Sequence, residues 1–171
     1  ADAGERVFYA VYVSKFRKCA QMDGRMITAK IKRRGNIWYF DDYFKSLRKN
    51  ENEIAKPIRQ FVLDPKRYLF NAKETLHDAV LTEFKFGILK NEDRLTMKFL
   101  SPYRDRNFKF IFKNVLAVRF KKDDKGFKNN DLIVHQFSLK PRGVCEYDFI
   151  FASGQRIIVK FKQLEIIEEF L

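Results

Sequence analysis

From Leu76 onward, apolar and polar residues alternate in short runs separated by turn residues, and this two-residue period predicts a β region. In LHDAVLTEFKFGIL the residues Val80, Thr82, Phe84, Phe86 and Ile88 share one face. Glu92-Asp93 reads as the turn into a second strand with Leu95, Met97 and Phe99 inward, and Ser101-Pro102 breaks it. NFKFIFKNVLAVRF sets Phe108, Phe110 and Phe112 on one face and continues the same even parity through Leu116, Val118 and Phe120. LIVHQFSLK is the next strand, turned by Pro141-Arg142-Gly143 into VCEYDFIF, which aligns Cys145, Tyr147, Phe149 and Phe151. Ala152-Ser153-Gly154-Gln155 reads as a hairpin turn, after which Ile157, Val159 and Phe161 return to the core. The acidic close QLEIIEEFL can finish that strand, form a short helix or lie against a basic surface.

Before Leu76 the spacing is helical. Val7, Val11 and Phe16 predict a helix over 6–20, although VFYAVYV also has strand content. MITAKIK, between turns at Asp23-Gly24 and Gly35-Asn36, reads as a short strand or extended loop. Phe40, Tyr43, Phe44 and Leu47 predict an amphipathic helix over 37–49. A second helix is expected over 51–63, or from Pro57 onward with Pro at the first helical position, ended by Asp64-Pro65. The prediction is an α+β fold: N-terminal helices flanking a six-stranded, mainly antiparallel sheet curled into a barrel or small sandwich. Residues 1–75 form its helical, basic region and 76–171 its β domain.

The composition supports a buried core without staples. Of 171 residues 46 % are hydrophobic, and 19 are Phe. Cys19 and Cys145 stand far apart without metal-ligand spacing, so zinc is not expected. Two buried thiols are the expected state, although a disulfide is geometrically possible, and this points to a reducing compartment and a cytoplasmic location. No apolar run is long enough to cross a bilayer as a helix. The opening ADAGERVF has neither an initiator Met nor a leader pattern, which predicts a trimmed or renumbered start and leaves open a leader removed earlier.

Charge changes the picture most. Lys and Arg number 35 against 22 Asp and Glu, a net +13, which calls for an acidic partner. The excess is denser early, with 17 basic against nine acidic residues before Leu76 and 18 against 13 after. Residues 14–40, SKFRKCAQMDGRMITAKIKRRGNIWYF, hold eight Lys and Arg against one Asp. Lys30, Lys32, Arg33, Arg34, Trp38 and Tyr39 are therefore the candidate partner-binding residues, since aromatic and Arg side chains dominate interface hot spots. An acidic protein is the first expected partner. Nucleic acid is the alternative, with the basic run 15–34, in particular Lys30, Lys32, Arg33 and Arg34, on phosphates.

Catalytic patterns are missing. His77-Asp78 matches the centre of a metal phosphohydrolase signature but has no histidine before it and opens a strand, where neighbours point to opposite faces. The pair reads as structural, and His135 as a partly exposed residue on the face opposite Val134. Asp41-Asp42 suits a helix N-terminus and Asp123-Asp124 a solvated turn. With no phosphate-binding glycine loop and no nucleophile motif, the expectation is a protein without catalytic residues, cofactor or metal.

The segments LHDAVLTEFKF, DRLTMKFL, FKFIFKNVLAV and RIIVKFKQLEI resemble a loose group of small bacterial proteins with an LHDA or LHDS strand, an F-x-N-V element and an aromatic-x-L-x-I ending. The resemblance covers about the last 95 residues. It implies a β domain without assigned catalytic residues, and for some such proteins a role as toxin-immunity inhibitors. The basic charge departs from nuclease inhibitors, which tend to be acidic, so it implies an acidic target. The acidic tail 163–171 could then mask the basic run until a partner arrives.

Overall fold

A computed structural model describes residues 30–35, 37–122 and 130–171. The helix expected over 6–20, Cys19, Asp123-Asp124 and most of the basic run 15–34 lie outside the described residues. The β region forms as its alternation predicts. The strands β3 (Val80–Leu89), β4 (Glu92–Leu100), β5 (Arg106–Lys122), β6 (Leu132–Lys140), β7 (Val144–Phe151) and β8 (Gln155–Phe170) make one sheet of order β3-β4-β5-β8-β7-β6. Every neighbouring pair is antiparallel. The phenylalanine rows meet across it: Leu95 opposes Phe112, Met97 opposes Phe110 and Phe99 opposes Phe108, all fully buried. Burial of such side chains stabilises the fold by about 1.5–3 kcal/mol each.

The hairpin between β3 and β4 turns two residues earlier than expected. Lys90 and Asn91 both take positive φ, 52° and 60°, while Glu92 already pairs with Leu89. A two-residue turn of this mirror type matches the twist of the strands, and Asn tolerates it. Register also slips inside β5. Asn114 has φ 50° and the pairing with β8 shifts between Val115 and Ala117, so Leu116 bulges out, 51 % exposed, and Val115 takes the core place at 8 %. The expected even parity fails at Leu116 and resumes at Val118 and Phe120, which oppose Val159 and Ile157. Further shifts fall between Leu81 and Glu83 and between Leu132 and Val134.

Bulges sharpen twist, and the two edges of the sheet approach each other at one end. Asp78 N–H donates to the Leu132 carbonyl (2.7 Å), Leu132 N–H donates to that of Ala79 (2.9 Å), and Val80 bridges Asp131. Beyond that bridge no ladder joins β3 to β6 among the described residues, so the sheet is open, not the closed barrel expected.

Among the described residues the helices are shorter than expected. Residues 37–40 are not helical: β1 (Lys32–Arg34) and β2 (Ile37–Tyr39) form an antiparallel hairpin, and α1 (Asp41–Lys49) follows with Asp41 and Asp42 in its first turn. Acidic residues are favoured there by the helix dipole. α2 (Lys56–Val62) carries Pro57 in its first turn, and Glu51–Glu53 is a separate 3-10 turn. The helices do not flank the sheet. They lie across its phenylalanine face, where the Phe61 ring meets Phe108 and Phe110 edge-on and Tyr43 reaches β6. One cluster of buried residues runs from Ile31, Tyr43 and Phe61 through the aromatic rows of the sheet.

The acidic close of the chain completes β8 as a strand beside the first half of β5. Its carboxylates are engaged there: Glu165 with Lys113 (3.0 Å), Glu169 with Lys98 (3.0 Å), and Glu168 with both Arg67 (2.6 Å) and Arg106 (3.4 Å). Most of the basic run that this segment was expected to mask lies outside the described residues.

Candidate functional site

The six candidate binding residues come together around one hairpin. Arg33 opposes Trp38 in its register, Lys32 opposes Tyr39 and Arg34 opposes Ile37. Gly35, with φ 59°, supplies the left-handed step the tight connection requires. The Arg33 guanidinium lies over the indole of Trp38, 5.4 Å from its centroid, and that of Arg34 over the Tyr39 ring at 5.7 Å. Arg33 Nε also donates to the Gly35 carbonyl (2.7 Å). Trp38 is half-buried and packs against the core, whereas Lys30, Arg33, Arg34, Ile37 and Tyr39 are exposed. Lys32 ties the hairpin to α1 through Asp42 (2.5 Å), and that contact holds the Asp42 carboxyl below its ordinary pKa. The unit is thus a pair of guanidinium-on-ring contacts, a cation–π geometry that limits arginine freedom.

The hairpin is anchored where it meets the sheet. Ile31 N–H donates to Gln136 Oε1 on β6 (3.0 Å), and Gln136 Nε2 donates to Asp148 (3.0 Å) on β7. Asp148 in turn holds the Arg156 guanidinium. All of Ile31, Gln136 and Asp148 are buried. Gln136 points to the sheet face away from the phenylalanine rows, so β6 is covered on both sides.

His135 is not the partly exposed residue its alternation suggested. It lies in the core, 1 % exposed, stacked on Tyr68 with centroids 4.2 Å apart. The shift between Leu132 and Val134 puts His135 on the inward parity, opposite Phe149. Its Nε2 faces the Arg67 carbonyl at 3.2 Å, which can only accept, so the proton sits on Nε2 and Nδ1 accepts from the Tyr147 hydroxyl at 2.8 Å. Burial pushes its pKa down to about 3, aided by the nearby Arg67 charge. A second chain of hydroxyls runs beside it. Phe137 N–H donates to Tyr43 Oη (2.8 Å), Tyr43 donates to Tyr68 (3.3 Å), and Tyr68 donates to the Val62 carbonyl (3.0 Å). Burial pushes Tyr43 up to about 12 and raises Tyr68 and Tyr147 well above the ordinary phenol value. These groups are locked neutral with their partners, the opposite of an acid and base poised to exchange protons near neutrality.

The His77-Asp78 pair sits in the turn before β3, not on the strand. Asp78 has φ 62°, and this bend brings its carboxylate within 3.1 Å of His77 Nδ1, a closeness that strand geometry would forbid. The distance is not matched by hydrogen-bond alignment. The pair has no third partner: no group of three or more His, Cys, Asp or Glu that could hold a metal occurs among the described residues. Nor is any helix among them long and apolar enough to cross a membrane. Cys145 is buried on β7.

One surface escaped sequence reasoning. Phe84, Phe86 and Ile88, which alternation set on one face, are 39 %, 53 % and 72 % exposed. Phe84 and Phe86, with Val115, Val118 and Phe120, border a groove of ≈ 400 Å³. The period marks the face of these three, but the bulge at Thr82 takes Val80 and Thr82 off it, since Leu81 opposes Phe99 and Val80 opposes Leu100; at this end of the sheet no described element covers the face.

No known protein family, curated protein or solved structure matches the chain.

Proposed function

We propose that this protein is a non-enzymatic binding module whose basic hairpin docks an acidic protein surface. The observation that carries the reading is the seating of Arg33 on Trp38, repeated by Arg34 on Tyr39. An arginine already held on an aromatic face forfeits less side-chain freedom when its N–H edge meets a carboxylate. The net charge of +13 speeds encounter with an acidic partner. Unpaired bases are served less well, because Trp38 packs against the core and already carries Arg33. An immunity-type inhibitor of an acidic toxin is the narrower form of this reading and rests on the resemblance of the strand pattern alone.

The test is binding to polyglutamate and, separately, to random-sequence single-stranded DNA and RNA over a salt series. The expected result is polyglutamate binding that the double substitution Arg33→Ala, Arg34→Ala weakens roughly 10-fold or more. Steeply salt-dependent nucleic-acid binding, with polyglutamate binding indifferent to those arginines, would replace this reading with the nucleic-acid one.

A further inference from the structure

The two edges of the sheet are treated differently. At β6 the edge is stoppered: Phe137 N–H, which a bare edge would offer to another chain, donates to Tyr43 Oη, and Ile31 packs alongside through Gln136. At β3 every residue from Thr82 to Leu89 is exposed, and the run contains no proline. Its one bulge falls at Thr82, leaving Glu83 to Leu89 in regular pairing with β4. Natural edges of this length are normally blunted by bulges, prolines or inward charges. β3 instead presents Phe84, Phe86 and Ile88 on one face.

We infer that β3 is a self-association edge, pairing antiparallel with β3 of a second copy across a two-fold axis at Phe84. The choice of occupant rests on charge complementarity. A two-fold contact requires residue i to meet j while j meets i. With the axis at Phe84, Glu83 of each copy opposes Lys85 of the other, giving two reciprocal cross-strand ion pairs on one face. On the other face Phe84 meets its own symmetry mate. Moving the axis to Glu83 or Lys85 sets identical charges against each other, which cross-strand pairing disfavours. Glu83 and Lys85 are exposed, and neither has an ion-pair partner among the described residues, so both are available. The pairing joins two six-stranded sheets into one of twelve and carries the exposed phenylalanine face of β3 into the contact.

The full chain should sediment at equilibrium as a reversible dimer, twice the 20.5 kDa monomer mass. Glu83→Lys, and separately Lys85→Glu, should raise the dissociation constant roughly 10-fold or more, since each converts two attractive pairs into two repulsive ones. The double exchange Glu83→Lys with Lys85→Glu should restore it, because the reciprocal pairs re-form. Both side chains are exposed, and circular dichroism checks that each variant is folded. A monomer at all concentrations, a dimer indifferent to Glu83→Lys, an assembly larger than two, or a double exchange that fails to restore association would each overturn the inference. Covering of this face by residues 1–29 would give the first of these outcomes.

Discussion

The Nδ1 of His135 accepts a hydrogen bond from the hydroxyl of Tyr147 at 2.8 Å, diagonally across the β6–β7 ladder, and this bond fixes the neutral tautomer of a histidine sealed in the core. The other ring nitrogen is committed to the Arg67 carbonyl, so no site remains for a second proton without losing a partner.

A pH dependence follows. The folded-state pKa is pushed down to about 3 from 6.5, so on acidification the unfolded chain takes up the proton first. The contribution of His135 is complete above pH 6.5 and is lost as pH falls toward 3. Between pH 6.5 and 5 this should cost about 2 kcal/mol, read by urea unfolding at each pH. His135→Phe should be less stable at pH 7 and should lose most of that slope; an unchanged slope would show that other groups set it.

Tyr43→Phe removes the acceptor of Phe137 N–H and the donor to Tyr68 while keeping the ring contacts. The expected loss is about 1–3 kcal/mol in denaturant unfolding, the cost of leaving a buried donor unmatched. Amide exchange should quicken most at Phe137. Uniform acceleration over the whole sheet would mean that the bond is no edge stopper.

Glu168 joins β8 to Arg67 and Arg106, and Arg67 also meets Asp64 at 3.3 Å and lies over the Phe61 ring at 4.7 Å. Glu168→Gln should destabilise by roughly 3 kcal/mol, because two largely enclosed guanidinium groups lose their shared counter-charge. Added salt should not recover that loss, as it would for an exposed pair. Asp105, whose carboxyl Arg106 holds below the ordinary range, should add to acid sensitivity in the same region. Its contribution is present above the unfolded carboxyl pKa and lost as pH drops through the lower folded value.

Asn91→Gly should be neutral or stabilise by up to about 1 kcal/mol, since φ 60° suits glycine. Asn91→Val should destabilise by about 1–2 kcal/mol, because a β-branched residue resists that conformation. Thermal unfolding of the two variants checks both signs.

The strands were legible where the chain kept a plain two-residue period bounded by turn residues. Leu95, Met97 and Phe99, and Phe108, Phe110 and Phe112, needed nothing beyond alternation. Leu116 was not legible, because an extra residue near Asn114 changes which parity faces inward and leaves composition unchanged. His135 failed for a similar reason, since the shift before Val134 reverses the local faces. The span 37–49 looked helical throughout because Phe40, Tyr43, Phe44 and Leu47 keep helical offsets. Pairing of Ile37–Tyr39 with Lys32–Arg34 overrides that local preference, as tertiary contacts often do. Within the candidate site, the basic and aromatic residue types were legible, but the seating of Arg33 on Trp38 depends on a hairpin register that spacing alone did not determine.

The position of β8 bears on how the chain reaches this state. It is the last strand in chain order, yet it lies between β5 and β7 near the middle of the sheet. As the chain is synthesised, β3 to β5 and the β6–β7 hairpin can each form, but as two half-sheets with bare inner edges and nothing to join them. Arg106 meets Phe170 only after the intervening 64-residue separation is closed. Non-local pairings of that kind are slow to form and leave sticky edges exposed meanwhile. Emergence of β8 should therefore be the step at which this sheet becomes cooperative, and a nascent chain stalled before β8 should remain protease-sensitive throughout.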